Sequence, residues 1–178
     1  MPALPYKPSL LALILAFMMS GPTQAATSDS TFVNEAATAA IAEIQSSQLA
    51  LEKSGNPQVK AFAQRMIDDH DKANRELFDL AKDNGFDVPD EATLAAKADR
   101  MMLQVQDGAS FDAAYVRHQV DAHEHAIRLF EAHEESATAT EPLRMYAHQT
   151  LPVLKHHLEA AMQLQKALPI DDNGARKP

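Results

Sequence analysis

The sequence contains no cysteine and no tryptophan, and only 5 of its 178 residues are glycine. Without cysteine the chain can form no disulfide, has no thiol nucleophile and cannot carry a bacterial lipoprotein anchor. The glycines also form no glycine-rich phosphate-binding loop. An apolar core, or a metal ion, must therefore stabilise the fold.

Positive charge is scarce as well, with 16 Lys and Arg against 25 Asp and Glu, giving a net charge of −9. Because there is no run of basic residues to bind phosphates, nucleic acid is not an expected partner. Beyond residue 25 no segment is apolar enough to span a membrane, so we expect no integral membrane segment. A homo-oligomer is compatible with this composition.

The first 25 residues have the pattern of a secretory signal peptide. Lys7 gives a positive start, residues 9–20 are apolar, and small residues lead up to Ala25. The apolar run is too short for a transmembrane helix. The sequence thus predicts cleavage near Ala25 and export, most simply to a bacterial periplasm.

The rest of the chain is rich in Ala, Leu, Gln, Glu, Lys and Met, which favour helices, and it has no strand pattern. Apolar residues spaced by three and four predict amphipathic helices. The four long ones are expected over residues 30–53, 57–84, 111–135 and 141–168, with a weaker helical segment over 91–106. Asn56, Asp90, Ser110 and Thr140 are the expected N-caps.

Four long helices with short connectors indicate an all-α fold, an up-down four-helix bundle with an extra short helix between the second and third main helices. The bundle domain should cover residues 26–168, and residues 169–178 should form a flexible polar tail. Pro152 falls inside the last helix, where it removes one backbone hydrogen bond.

Three histidines occupy positions where a helix would normally place leucine: His70, His123 and His157. Each lies on the apolar stripe of a different long helix, as His123 does with Ile127 and Phe130. A buried imidazole needs a hydrogen-bond partner or a metal ion. Three such rings in one small domain therefore raise the question of a shared ligand.

Counting along the helices adds Glu43 to this group. At about 1.5 Å per residue, Glu43, His70, His123 and His157 all fall roughly 18 to 27 Å from the same end of the bundle. Imidazole and carboxylate donors suit a transition metal, so the sequence predicts one ion, zinc, iron or copper, bound by these four residues. Asp69, Tyr115 and Glu124 are candidates to hydrogen-bond the ligating histidines.

Four of the remaining five histidines are expected outside the interior site, and the position of His148 near the start of the fourth helix leaves its role open. His118, His125 and His133 are spaced by seven and eight, so they share one flank of the third helix, which we expect to be solvated. His156 points away from its neighbour His157. The methionines of the domain are scattered, and we expect them to fill the core rather than to bind Cu(I).

Four stretches carry a resemblance to a known family: Phe32–Ala37, continuing to Ile44, residues 59–70, residues 111–123, and residues 150–158 with their Leu-Pro-x-Leu-x-x-His pattern. They resemble a bacterial exported family of unknown function in the ferritin-like superfamily, whose members are often labelled predicted outer membrane proteins. The resemblance spans residues 30–166. It implies a ferritin-like bundle and export, but no established activity. Its recurring polar positions fall here on Glu43, Asp69, His70, Tyr115, His123 and His157.

The sequence departs from the di-iron pattern of ferritin-like enzymes, in which Glu-x-x-His occurs on two helices. Here Ile67, Val120 and Leu154 stand three residues before the three histidines. A single-metal site is therefore expected, in a periplasmic protein of metal handling or envelope stress. Two alternatives are a metal-dependent oxidoreductase of peroxide or superoxide chemistry, and a structural or interaction bundle whose core histidines only form hydrogen bonds. No catalytic residue is assigned.

Overall fold

The computed structural model describes residues 28–168, in which all regular secondary structure is helical. Five helices follow one another: α1 (Asp29–Lys53), α2 (Pro57–Asp83), α3 (Leu94–Gln104), α4 (Gly108–Glu134) and α5 (Glu141–Ala167). The all-α class and the short extra helix are thus confirmed for this part of the chain. The predicted signal peptide and polar tail lie outside the described residues.

The ends of α1 and α2 follow from local hydrogen bonds. The Ser28 hydroxyl accepts a bond from the backbone N–H of Thr31, 3.2 Å away, and so begins α1. Asn56 caps α2 as predicted, because its side-chain oxygen accepts from the N–H of Gln58 at 2.9 Å. After α2 the chain turns at Gly85, whose φ of 75° favours glycine.

Two predicted N-caps are wrong. The cap of α3 is Thr93 rather than Asp90, and its hydroxyl accepts from the N–H of Ala96 at 3.2 Å. The cap of α4 is Asp107, which places Ser110 inside the first turn. Gly108, with a φ of 56°, allows the chain to enter α4 earlier than the apolar pattern indicated.

The four long helices pack as a bundle. α1 contacts α2 and α4, while α5 contacts α4 and α2, and α3 lies against α1 and α4. Thr140 is the N-cap of α5, as predicted. Its backbone N–H donates to the Asp29 carboxylate at 3.2 Å, and this hydrogen bond joins the start of α5 to the start of α1. Within residues 28–168, no helix has the length and hydropathy that crossing a membrane requires.

The apolar interior is divided into two clusters. One contains Phe32, Phe130 and Leu143, and the other contains Met66 and Phe111. Along each long helix the residues change from one cluster to the other, and Glu43, His70, His123 and His157 lie at the change. A polar layer thus separates two apolar halves of the bundle.

The expectation that the methionines fill the core is correct only for Met66, which is fully buried. Four others are exposed: Met101, Met102, Met145 and Met162. They lie on the outer faces of α3 and α5, where their flexible, unbranched side chains are tolerated. Sequence spacing did not separate these positions from core positions.

Replacing Gly108 by alanine should lower the free energy of unfolding by about 1 kcal/mol, because an L-residue is strained in the left-handed region. Urea unfolding followed by circular dichroism would measure the change. Gly55→Ala is the matched control, since a methyl group at Gly55 meets nothing within 4 Å and no positive φ is required. Equal effects of the two substitutions would contradict the assignment of strain to Gly108.

Candidate metal centre

Glu43, His70, His123 and His157 come together in the bundle interior, one from each long helix. All four are buried, with exposed fractions of 3%, 7%, 0% and 1% respectively. They form the polar layer between the two apolar clusters. The juxtaposition expected from helix position and depth is therefore present in the structure.

The three imidazole rings surround a common space. Their centroids are 5.3 to 5.5 Å apart. One ligand-type nitrogen from each ring lies within 4.8 Å of the corresponding nitrogens of the other two. This spacing allows a single ion to be reached by all three.

Hydrogen bonds outside this space fix the proton positions on two rings. Nδ1 of His123 lies 2.9 Å from the backbone carbonyl oxygen of Gln119, and Nε2 of His157 lies 2.9 Å from Oδ2 of Asp69. Because both oxygens only accept, those nitrogens carry the protons and donate. In the neutral rings, Nε2 of His123 and Nδ1 of His157 are left with lone pairs, and these two atoms lie 3.3 Å apart.

Glu43 approaches the same space from α1. Its Oε2 lies 2.6 Å from Nε2 of His70 and 3.5 Å from Nε2 of His123. The contact with His70 is close enough for an ion pair, but neither buried atom makes a hydrogen bond of normal geometry. The two atoms therefore pair with each other, and a carboxylate oxygen such as Oε2 has a further lone pair available.

Burial and mutual charge set the protonation of the layer. Burial raises the pKa of Glu43, but the charges of His123 and His70 outweigh burial and lower it to about 2. Burial lowers the pKa of His70, and the Glu43 carboxylate outweighs that effect and raises it. Burial also lowers the pKa of His157 to about 4, with Asp69 opposing only in part. At neutral pH the layer thus contains an ionised carboxylate and, at His157, a neutral ring able to donate a lone pair.

The three predicted supporting residues lie in different places. Asp69 accepts the hydrogen bond from His157, while its carboxylate remains partly exposed. Tyr115 is fully buried, and its hydroxyl bonds to Ser47 at 2.8 Å rather than to a histidine. Glu124 is exposed, and within the described residues it has no hydrogen bond or ion pair to the three rings.

Sequence reasoning missed Gln119, which is fully buried four residues before His123. Its carbonyl holds the His123 ring, and its side-chain nitrogen donates to the Ser46 hydroxyl at 3.3 Å. A polar residue one turn before a buried histidine, on the same helix face, was the available signal.

The prediction that His133 lies on a solvated flank is wrong. His133 is fully buried, and its ring stacks on Phe32 with centroids 3.9 Å apart. Its Nε2 lies 3.5 Å from Oδ1 of Asp29. His133 lies three residues after Phe130, which places it on the buried apolar face of α4. Its spacing of eight from His125 had indicated the solvated flank instead. His125, His148 and His156 are exposed, and His118 is half-buried.

The geometry can now be compared with known proteins. The family described as "Domain of unknown function (DUF4142)" matches residues 16–164. The chain belongs to the DUF4142 family. The resemblance to a family of unknown function is thereby confirmed. No curated protein matches the chain.

The DUF4142 chain is also similar to a solved structure, the crystal structure of a conserved hypothetical protein, Rv2844, from Mycobacterium tuberculosis. The TM-score is 0.64 at 19% sequence identity, and the alignment covers 84% of this chain and 96% of that chain. At this level of identity the likeness concerns the fold alone.

Glu43→Gln should destabilise the metal-free protein by about 3 kcal/mol near pH 6, because it removes one partner of a buried ion pair with His70. The pKa of Glu43 is lowered in the folded state from 4.5 to about 2, so its contribution is present above the unfolded value and is lost as the pH falls. The difference between wild type and variant should therefore shrink from about pH 5 to about pH 2. Urea unfolding at each pH, after chelator treatment, measures it.

Glu124→Gln is the control for this series, because it makes the same change at an exposed position of α4. Its effect should be small at every pH. A Glu43→Gln penalty that does not change with pH would contradict the ion pair as the source of stability.

Proposed function

We propose that this protein binds one transition-metal ion in the bundle interior through His70, His123, His157 and Glu43. The observation that carries the proposal is the 3.3 Å separation between Nε2 of His123 and Nδ1 of His157. Each of these nitrogens has its proton-bearing partner nitrogen committed to an outer oxygen. When both rings are neutral, a cation between these two nitrogens would be bound by both lone pairs.

The distances suit a small ion. Zinc–nitrogen bonds of about 2.0 to 2.1 Å at a tetrahedral angle give a nitrogen–nitrogen distance of roughly 3.3 Å. Oε2 of Glu43 lies 3.5 Å from Nε2 of His123, which is close to the same value. Three imidazoles and one carboxylate, without thiolate, are the donor set of zinc, iron or copper.

The surroundings of His157 support the same proposal. A carboxylate that accepts the outer N–H of a ligating histidine orients the ring and raises its basicity. Asp69 makes this contact at 2.9 Å, and the Gln119 carbonyl makes the equivalent contact to His123.

The cellular setting of the proposal rests on sequence and packing. The signal-peptide pattern of residues 1–25 supports export to the periplasm, with a role in metal handling or envelope stress. The contacts of α1 with α2 and α4, and of α5 with α4 and α2, support a ferritin-like up-down arrangement of the four long helices.

A second candidate function is structural, and the Glu43–His70 contact of 2.6 Å favours it. In this case the ion pair and the outer hydrogen bonds satisfy the polar layer without a metal. The layer would then specify how the helices align, a role known for buried polar groups in other bundles.

Metal analysis of the full chain, purified without a histidine tag and then reconstituted, separates the two candidates. The wild type should retain about one ion per chain, while His123→Ala and His157→Ala should each lose tight binding, because each removes a donor from the interior. His156→Ala is the matched control, since this exposed histidine adjoins His157 and points away from it. Less than roughly a tenth of an ion per wild-type chain would favour the structural function.

Asp69→Asn should weaken metal binding by about tenfold to a hundredfold, because an amide holds the His157 ring less firmly and makes it less basic. Competition with a chromophoric chelator measures the affinity. Asp68→Asn is the control: Asp68 is exposed and bonds to Gln64 on the surface of α2. Equal affinities of the wild type and Asp69→Asn would show that Asp69 does not support the ligand.

A further inference from the structure

A cavity of about 40 Å³ adjoins the polar layer and is lined by residues of all four long helices. Glu43 and His70 line it on the side of the polar layer, and its other polar lining residues are Glu35, His125, Tyr146 and Thr150. The other walls are largely apolar, and several of them are alanines: Ala36, Ala39, Ala40, Ala73 and Ala126. Small side chains thus leave space next to two of the proposed metal ligands.

The size of the cavity restricts what can occupy it. One buried water needs about 10 to 15 Å³ of cavity volume. The cavity therefore admits about three waters, or one molecule of two or three non-hydrogen atoms. Between its polar lining residues, the cavity is walled by alanines and by Leu129, Phe130 and Leu154, which offer water no hydrogen bond. Water there is therefore readily displaced by a small molecule.

The cavity also extends towards solvent. Two of its lining residues, Glu35 and His125, are exposed on α1 and α4. On another side it shares Ala73 and Thr150 with a surface cleft of about 230 Å³ between α2 and α5. Small molecules therefore have short paths from the surface to the polar layer.

We infer that this cavity binds a small linear ligand of two or three non-hydrogen atoms, of the class of azide or peroxide, which coordinates the metal at an open position. The inference rests on the proposed function, because the ligand's donor atom needs the metal. With the three imidazoles and Glu43 bound, an ion of this kind can expand to five-coordinate, and Glu43 and His70 face the cavity from which the fifth ligand would enter. The small volume excludes bulkier ligands, and the buried Glu43 carboxylate disfavours multiply charged anions.

A larger side chain at Ala40 would fill the cavity without replacing any of the four proposed metal ligands. It lies one turn before Glu43 on α1, is buried, and lines the cavity. Leucine at this position adds three carbon atoms to the space and is well accepted in a helix. Ala42→Leu is the matched control, because it makes the same change on α1 at a half-buried residue outside the cavity lining.

The experiment is an azide titration of the full chain loaded with Co²⁺, followed by its visible absorption, with cobalt content measured in parallel. The wild type and Ala42→Leu should give a saturable spectral change. Ala40→Leu should bind azide at least about tenfold more weakly at unchanged cobalt content, a loss of about 1.4 kcal/mol. If Ala40→Leu does not fold, Ala40→Val provides the same test with two added carbons.

The outcomes distinguish this inference from the proposed function. Cobalt binding without an azide response in the wild type, or equal azide affinity in Ala40→Leu, overturns the ligand cavity and leaves metal binding intact. Absence of cobalt binding overturns both.

Xenon uptake by the metal-free chain, followed by NMR, gives a readout independent of metal. Wild-type protein should take up xenon and Ala40→Leu should not, and a wild type that takes up none overturns the cavity.

Discussion

The burial of one carboxylate and three imidazoles in a single layer is the constraint on which the rest of this bundle depends. Polar groups removed from water are costly unless each finds a partner. Two of the rings meet this requirement by donating outward, to Gln119 and Asp69, and they turn their lone pairs inward. The nitrogen and oxygen atoms that face one another inside the layer therefore have lone pairs available to bind a metal ion.

This layer also limits how the helices can align. Glu43, His70, His123 and His157 each come from a different helix, and a shift of one residue would rotate a side chain by about 100° out of the layer. The apolar clusters on either side tolerate small displacements better, since dispersion and hydrophobic contacts have no direction. The contact of Asp29 with Thr140 and the 2.9 Å ion pair of Lys53 with Asp107 then tie the helix ends.

Much of this arrangement could be predicted from the sequence, because helical periodicity and rise are fixed quantities. They placed Glu43 and the three histidines at one depth, and the structure brings these residues together. Contacts between helices were harder to foresee. Asp69 adjoins His70 in sequence but bonds to His157 of another helix, and that pairing depends on how α2 and α5 pack. His133 was misplaced because two spacings competed, and only packing against Phe32 decided between them.

Charge balance connects the polar layer to the ligand it would accept. Glu43 is ionised, and the raised pKa of His70 favours a proton on that ring when no metal is bound. A metal that coordinates His70 would displace this proton, so binding would release protons to solvent. With Glu43 and the partly exposed Asp69 contributing one negative charge each, a divalent ion would leave the layer close to neutral. A neutral or singly charged small molecule in the adjoining cavity keeps the net charge low, whereas a multiply charged anion would bury more negative charge beside the Glu43 carboxylate.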